Sequence, residues 1–335
     1  MADPRYAIVP VDQATPEYRD ESMGTKRKFW FGRVEQERKS RRRTRWLFKY
    51  SQAGTGQDWA EKLACELAEA LRLPHAQVEL AEADGQPGCI VKTVIEDPER
   101  DMLEHGNQVL YVHDPSYPRE QASPAEHTVE RVLRTLDALD VSPPRHAALD
   151  MDVQVLQRGA DWFVGYLLLD ALIGNTDRHH ENWAVLQSSI ASQHVSPRTL
   201  SPTFDHGSSL GRELRDEERA RRLKEGWASA GAAYARRARS GLYQAPGDQR
   251  PMHPVAAFGL SASLRPLAGQ IFQRRLEALS EQTMDTLIER MPQQRMSAVA
   301  QRFTSLFLRH NRSAILALEL AGNRSPGSRP EGNAP

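Results

Sequence analysis

Cysteine is nearly absent: the 335-residue chain has two, Cys65 and Cys89. Neither stands in a metal-type spacing, which argues against a secreted disulfide framework and fits reduced thiols in a cytoplasmic protein. Charge of one sign is lacking too, because 44 basic side chains face 44 acidic ones. No global field then draws the chain to a membrane or to nucleic acid, so direct nucleic-acid binding is not expected and any partner must be recognised locally. There is no long apolar run. The longest, "WFVGYLLLDALIG" at residues 162 to 174, is too short for a bilayer and holds Asp170 inside it. The start, "MADPRYAIVP", has neither the basic nor the apolar part of a signal peptide, and no internal repeat is found.

What is there suffices for a core. At 39% hydrophobic and 26% charged residues, a chain this long folds as one large domain or two lobes. Residues 1 to 20, polar with prolines at 4, 10 and 16, read as an irregular lead-in. Residues 22 to 32 suggest a strand pair about Gly24, and "TRWLFKY" at 44 to 50 alternates as a strand does. The basic run "RKSRRRTR" between them, residues 38 to 45, reads first as a solvated hairpin tip and second as a docking patch. A helix follows, with Trp59, Leu63, Leu67 and Ala70 on one buried face and Pro74 beyond its end. Two strands joined at Asp84 and Gly85 complete a small sheet-bearing lobe, residues 21 to 95. Residues 96 to 320 form a larger lobe. It opens with a polar, proline-bearing segment to about 124 and continues with helical patterns at 125 to 140, 161 to 173, 213 to 240, 262 to 290 and 296 to 320. Residues 321 to 335 are a disordered tail by composition.

The chemistry concentrates in "GNTDRHHENWAVL", residues 174 to 186, directly behind the apolar helix at 161 to 173. Gly174 stands where a helix needs a residue tolerant of positive φ to stop. A short strand follows, and the chain returns through "FDHGSSLG", so Asp177, Asn182 and Asp205 converge from loop ends and a hairpin. An aspartate and an asparagine oxygen suit magnesium, a hard cation that takes one or two carboxylates plus phosphates. A second carboxylate beside them can position a hydroxyl and accept its proton. Asp177 and Asn182 have the D-x-x-x-x-N spacing of a protein-kinase catalytic loop, and "DHG", opening the segment 205 to 211, stands where D-F-G belongs. Upstream, "ESMGTKRKFWF" offers a phosphate loop with Ser22, Gly24, Thr25 and Lys26, and "WLFKY" offers the strand lysine Lys49.

Taken in order, these segments resemble the HipA-type serine/threonine kinases, a family related to phosphatidylinositol kinases. The resemblance spans roughly residues 20 to 320. It implies an α+β, bilobal protein-kinase-like fold, ATP and Mg2+ as cofactors, and a protein substrate, in that family including aminoacyl-tRNA synthetases and so other translation factors. It also allows a toxin role with a small antitoxin partner. Carried over by residue, Asp177 is the catalytic aspartate, Asn182 and Asp205 hold magnesium, and Lys49 contacts phosphate. Its glutamate partner is Glu61 by resemblance, whereas helical phase favours Glu66. The lobe connection near Val91 and Val94 would meet adenine, and Ser22 or Thr25 would be sites of autophosphorylation that repels ATP.

Competing readings are a lipid or small-molecule kinase, and an ATP-binding pseudokinase suggested by the single glycine of the phosphate loop. A metal hydrolase using His179 and His180 is disfavoured because adjacent histidines diverge and no third follows at ligand spacing. His179 is expected to pack behind the loop and hydrogen-bond backbone, and His180 to be solvated. Asp170 either anchors the loop through Arg178 or faces water at the helix edge.

Overall fold

The computed structural model describes residues 4–12, 19–20, 27–37, 40–145, 147, 151–189 and 197–320. Its first sheet has the order β1-β5-β6-β4-β3-β2. The strands are β1 (Ile8–Val11), β2 (Arg19–Asp20), β3 (Lys28–Glu37), β4 (Ser40–Tyr50), β5 (Val78–Ala83) and β6 (Gln86–Lys92). The β3–β4 ladder sets Phe29 opposite Phe48 and Lys28 opposite Lys49. Side chains alternate across a strand, so Phe48 and Tyr50 join Phe29 in an aromatic cluster, with Phe29 and Phe48 stacked at 5.1 Å. Lys49, between them in sequence, is thereby turned to the opposite face. The β5–β6 turn places Asp84 at φ 50° and Gly85 at φ 69°, the left-handed pair that a two-residue hairpin requires.

Helix α1 (Gln57–Ala70) packs on that sheet. One buried face was expected, but the helix is enclosed nearly all round: Gln57, Asp58, Glu61 and Lys62 are buried along with Trp59, Leu63 and Leu67, whereas Ala70 is exposed. The reason lies far down the chain. Asp58 meets Arg295 at 3.2 Å, and α1 also contacts a C-terminal helix.

The second part is mainly helical around a three-strand sheet, β7 (Asp101–His105), β8 (Ala184–Ser188) and β9 (Arg198–Leu200). Its helices are α2 (Gly106–His113), α3 (Val129–Ala138), α4 (Gly159–Ile173), α5 (Asp216–Lys224), α6 (Ala232–Ala235), α7 (Pro254–Leu264), α8 (Pro266–Ala278), α9 (Glu281–Glu289) and α10 (Ala298–Leu316). Every residue of α4 except Asp161 is buried. A helix apolar on all sides belongs at the centre of a core, and α3, α7, α8 and α10 pack round this one.

Several local expectations need correction. The lead-in at 1 to 20 includes β1, which pairs in parallel with β5, and an edge strand tolerates Pro10. The polar segment after residue 96 holds β7 and α2. The helical pattern at 213 to 240 breaks at Gly226 (φ 93°), and a π turn, Trp227–Gly231, separates α5 from α6. Pro266 and the N-cap Ser280 divide 262 to 290 into separate helices. Residues 21 to 26, 38 and 39, and 321 to 335 lie outside the described residues. So therefore do Ser22, Gly24, Thr25 and Lys26, the tip of the basic run, and the tail.

Candidate active site

The central loop begins where α4 stops. Gly174 takes φ 60°, and a Cβ there would fall 2.5 Å from the Phe307 ring, so only glycine fits. Asn175 then ties the loop to the helix: its Nδ2 donates to Asp170 Oδ1 at 2.8 Å, while its Oδ1 accepts the Asp177 N–H at 3.1 Å. Asn182 Nδ2 donates to the Asp177 carbonyl at 2.6 Å. The two ends of the D-x-x-x-x-N segment are thus held together, and the Asn182 amide oxygen is left as its acceptor.

Below the loop lies Arg178, wholly buried. It forks onto Asp170 through Nε (2.7 Å) and Nη2 (2.8 Å), donates to the Asn182 carbonyl, and reaches Thr203 Oγ1 at 3.1 Å. Asp170 is 1% exposed, which settles its alternatives in favour of the anchor. Burial disfavours the charge on Arg178, but Asp170 outweighs it and holds the guanidinium above its ordinary range.

The return strand brings Asp205. Its φ of 59° is left-handed, a conformation that aspartate accepts more readily than most residues. Lys49 Nζ lies 2.9 Å from Asp205 Oδ1 and 3.6 Å from Glu61 Oε2. Glu66 instead pairs with Lys62 at 2.8 Å, so the helix joins Lys49 to Glu61. Burial works against the Lys49 charge, yet the Asp205 and Glu61 carboxylates more than offset it and hold the ammonium protonated above the usual lysine range. Glu61 Oε1 also accepts the His206 backbone N–H at 2.9 Å, and the His206 ring bonds Thr203 Oγ1 at 2.9 Å. A polar chain therefore runs from Asp170 through Arg178, Thr203 and His206 to Glu61 and Lys49.

The two halves are laced together at Thr176, whose N–H and hydroxyl both donate to the Ser208 carbonyl, at 3.0 and 3.1 Å. Ser208 Oγ donates to Asp177 Oδ2 at 3.2 Å. Asp177 keeps 42% of its side chain exposed. Val91 and Val94 share one cluster with Cys65, Ala76, Val78, Cys89 and Phe204, the residue before Asp205.

The two histidines exchange their expected burial, although His179 does bond backbone as expected, its Nδ1 accepting the Glu181 N–H at 3.2 Å. His180 is buried and bonds the Tyr117 hydroxyl at 2.8 Å, while His179 remains a quarter exposed near Asp177. Burial pushes the His180 imidazole down to about 4. Thr203, His206 and Ser208 were not read as site residues. Thr203 acts through its hydroxyl, His206 through its backbone N–H and Ser208 through both carbonyl and hydroxyl, and only the "GSS" after Asp205 hinted at a tight turn. Among the described residues, no three His, Cys, Asp or Glu side chains converge into a metal cage.

The comparisons with known proteins bear on the family and the fold. The family model described as the HipA-like C-terminal domain matches residues 21–245. In structure, the chain resembles the Helicobacter pylori proinflammatory kinase CtkA at a TM-score of 0.65 and 16% identity, over 92% of this chain and 96% of that one. It also resembles HipA of Shewanella oneidensis, solved with HipB and operator DNA, at a TM-score of 0.54 and 12% identity, over 90% of this chain and 68% of that one. These likenesses give a protein-kinase-like, α+β fold. No curated protein matches the sequence. No helix among the described residues is long and apolar enough to cross a membrane.

Proposed function

We propose, from the premise that the chain belongs to the HipA-like C-terminal domain family, that it is an ATP- and magnesium-dependent kinase acting on a serine or threonine hydroxyl of a protein. The observation that carries this reading is the union of Lys49 from a strand and Glu61 from the next helix with the distant Asp205, beside a loop in which Asp177 and Asn182 are bonded to each other. In phosphoryl transfer the protein's work is positioning and charge stabilisation, and these residues are disposed for both.

Lys49, kept cationic by Asp205 and Glu61, is the group for the nucleotide phosphates. Asp177 orients the acceptor hydroxyl and takes its proton, and the Ser208 hydroxyl fixes the rotation of its carboxylate. The donor set fits magnesium: Asn182 has its N–H groups turned to the Asp177 carbonyl and its oxygen available, and Asp205 adds a carboxylate. One or two protein oxygens plus phosphate is how this cation is usually held. When bound, magnesium would neutralise charge developing on the transferred group. Val91, Val94 and Phe204 supply an apolar wall for adenine. The substrate class proposed is a protein of the translation apparatus such as an aminoacyl-tRNA synthetase. A small antitoxin-like partner is proposed on the likeness to HipA, which was solved with HipB.

Intact mass of the wild type and of Asp177→Ala after incubation with ATP and magnesium tests the reading, followed by peptide mapping. A mass gain confined to the wild type, mapping to Ser22 or Thr25, is the expected result. Wild type that binds ATP yet labels neither itself nor any protein in a translation extract would overturn it in favour of a pseudokinase.

A further inference from the structure

Outside the candidate site, one cluster joins a nucleophile to titratable groups. Cys65 Sγ lies 3.3 Å from His75 Nδ1, and His75 Nε2 lies 3.0 Å from Glu69 Oε2. His75 Nδ1 is also 3.0 Å from the Ala76 carbonyl. Both ring nitrogens therefore face acceptors, an arrangement satisfied only when the ring carries both protons. Burial opposes that charge, but the bonds to Cys65, Ala76 and Glu69 outweigh it and push His75 up to about 9. The ring thus holds a proton donor against the Cys65 sulfur. Glu69 and His75 also form part of the wall of a cavity of about 580 Å³ that runs behind the connecting segment Lys92–Glu96. A small solute can thereby reach the edge of the cluster.

We infer that Cys65 is an oxidation site for small hydroperoxides, with His75 as the proton donor and Glu69 orienting the ring. The Cys65 sulfur attacks one peroxide oxygen, its own proton is relayed to His75, and the O–O bond breaks. Sulfur gives up an electron pair and becomes a sulfenic acid, the peroxide is reduced, and the departing hydroxide takes the His75 proton to leave as water.

The position of the thiol gives this step a consequence, which rests on the kinase reading above. Glu61, Cys65 and Glu69 follow one another at four-residue intervals and so line one side of α1. Cys65 is 6% exposed and packs in the cluster that holds Val91, Val94 and Phe204. An added oxygen enlarges the side chain at this packed position. It presses on the helix that presents Glu61 to Lys49 and on the wall proposed for adenine, so oxidation lowers phosphoryl transfer.

The test exposes reduced protein to hydrogen peroxide with dimedone present and maps the adduct by mass spectrometry. Labelling is expected on Cys65 rather than Cys89, and His75→Gln should slow it by about tenfold through loss of the proton donor to the departing oxygen. In transfer assays without dimedone, peroxide should inhibit the wild type and spare Cys65→Ala, or Cys65→Ser should the alanine variant lose its cooperative melt. Absence of label at Cys65, equal labelling of Cys89, or an unchanged rate in His75→Gln would overturn the assignment. Equal peroxide inhibition of the Cys65 variant would overturn the link to α1. Labelling needs no kinase activity, so an unlabelled Cys65 in an active enzyme refutes this inference alone. A labelled Cys65 in a protein that transfers nothing refutes only the kinase reading.

Discussion

Two sets of carboxylates meet at the centre of this molecule, and they differ in exposure. Asp170 and Glu61 are almost completely buried, each with its oxygens shared among several donors. Asp177 and Asp205 keep 42% and 37% of their side chains exposed. Burying a charge is tolerable only with partners in place, so the first pair can do little except hold the site together. The second pair stays open to a ligand. Position in the polar chain, more than residue type, separates framework from working edge.

The sharpest way to break this contrast is Asp177→Asn, which keeps the shape and removes the proposed base. Transfer should fall by about a thousandfold while the melting temperature stays put, read by single-turnover assay beside a thermal melt. Arg178→Met attacks the other set. Leaving Asp170 buried without its partner should cost about 3–5 kcal/mol in chemical denaturation, and adding Asp170→Leu should recover a substantial part. If the single change were harmless, the pair would not be framework at all.

A subtler probe sits between the two sets. A Cβ on Gly207 would lie 2.9 Å from Glu61 Oε2, an oxygen already engaged by Lys49. Gly207→Ala should displace that carboxylate and cost roughly ten- to a hundredfold in transfer rate, with a small loss of stability. The smallest effect is expected at Asp101, a buried carboxylate away from the site. The Arg145 guanidinium bonded to it, aided by Ser188 and opposed by burial, lowers it from 3.8 to about 2. Because the folded value is depressed, its contribution is complete above pH 4 and is lost as pH falls toward 2. Asp101→Asn should therefore remove about 1 to 2 kcal/mol near neutrality and flatten the acid limb of the stability curve in that window.

The legible part of the site was the part written as spacing. Asp177 and Asn182 are separated by four intervening residues in one loop, and Lys49 lies between aromatic residues whose alternation turns it away from them. The choice between Glu61 and Glu66 was not legible from helical phase, because phase assumes a single buried face. Helix α1 has more than one, and the second is created by Arg295, more than two hundred residues on in sequence. The exchange of His179 and His180 has the same origin: Tyr117 and a loop against Gly241 decide which ring turns inward. In the helical part, α4 was evident from its uniform apolarity. The interruptions at Gly226 and Pro266 were written in plain residues, but a window that averages over hydrophobicity passes across them.

The bond between Glu61 and the backbone at residue 206 governs how this site can change over evolutionary time. Glu61 receives the main-chain N–H of residue 206 rather than a side-chain donor. The contact is therefore indifferent to which side chain occupies that position, provided the backbone path is kept. A histidine can stand where the protein-kinase D-F-G motif has phenylalanine without severing the link to the lysine. A conventional mutational scan would report the position as permissive and miss the connection. An amide-to-ester replacement at 206, installed by semisynthesis, would remove the donor itself.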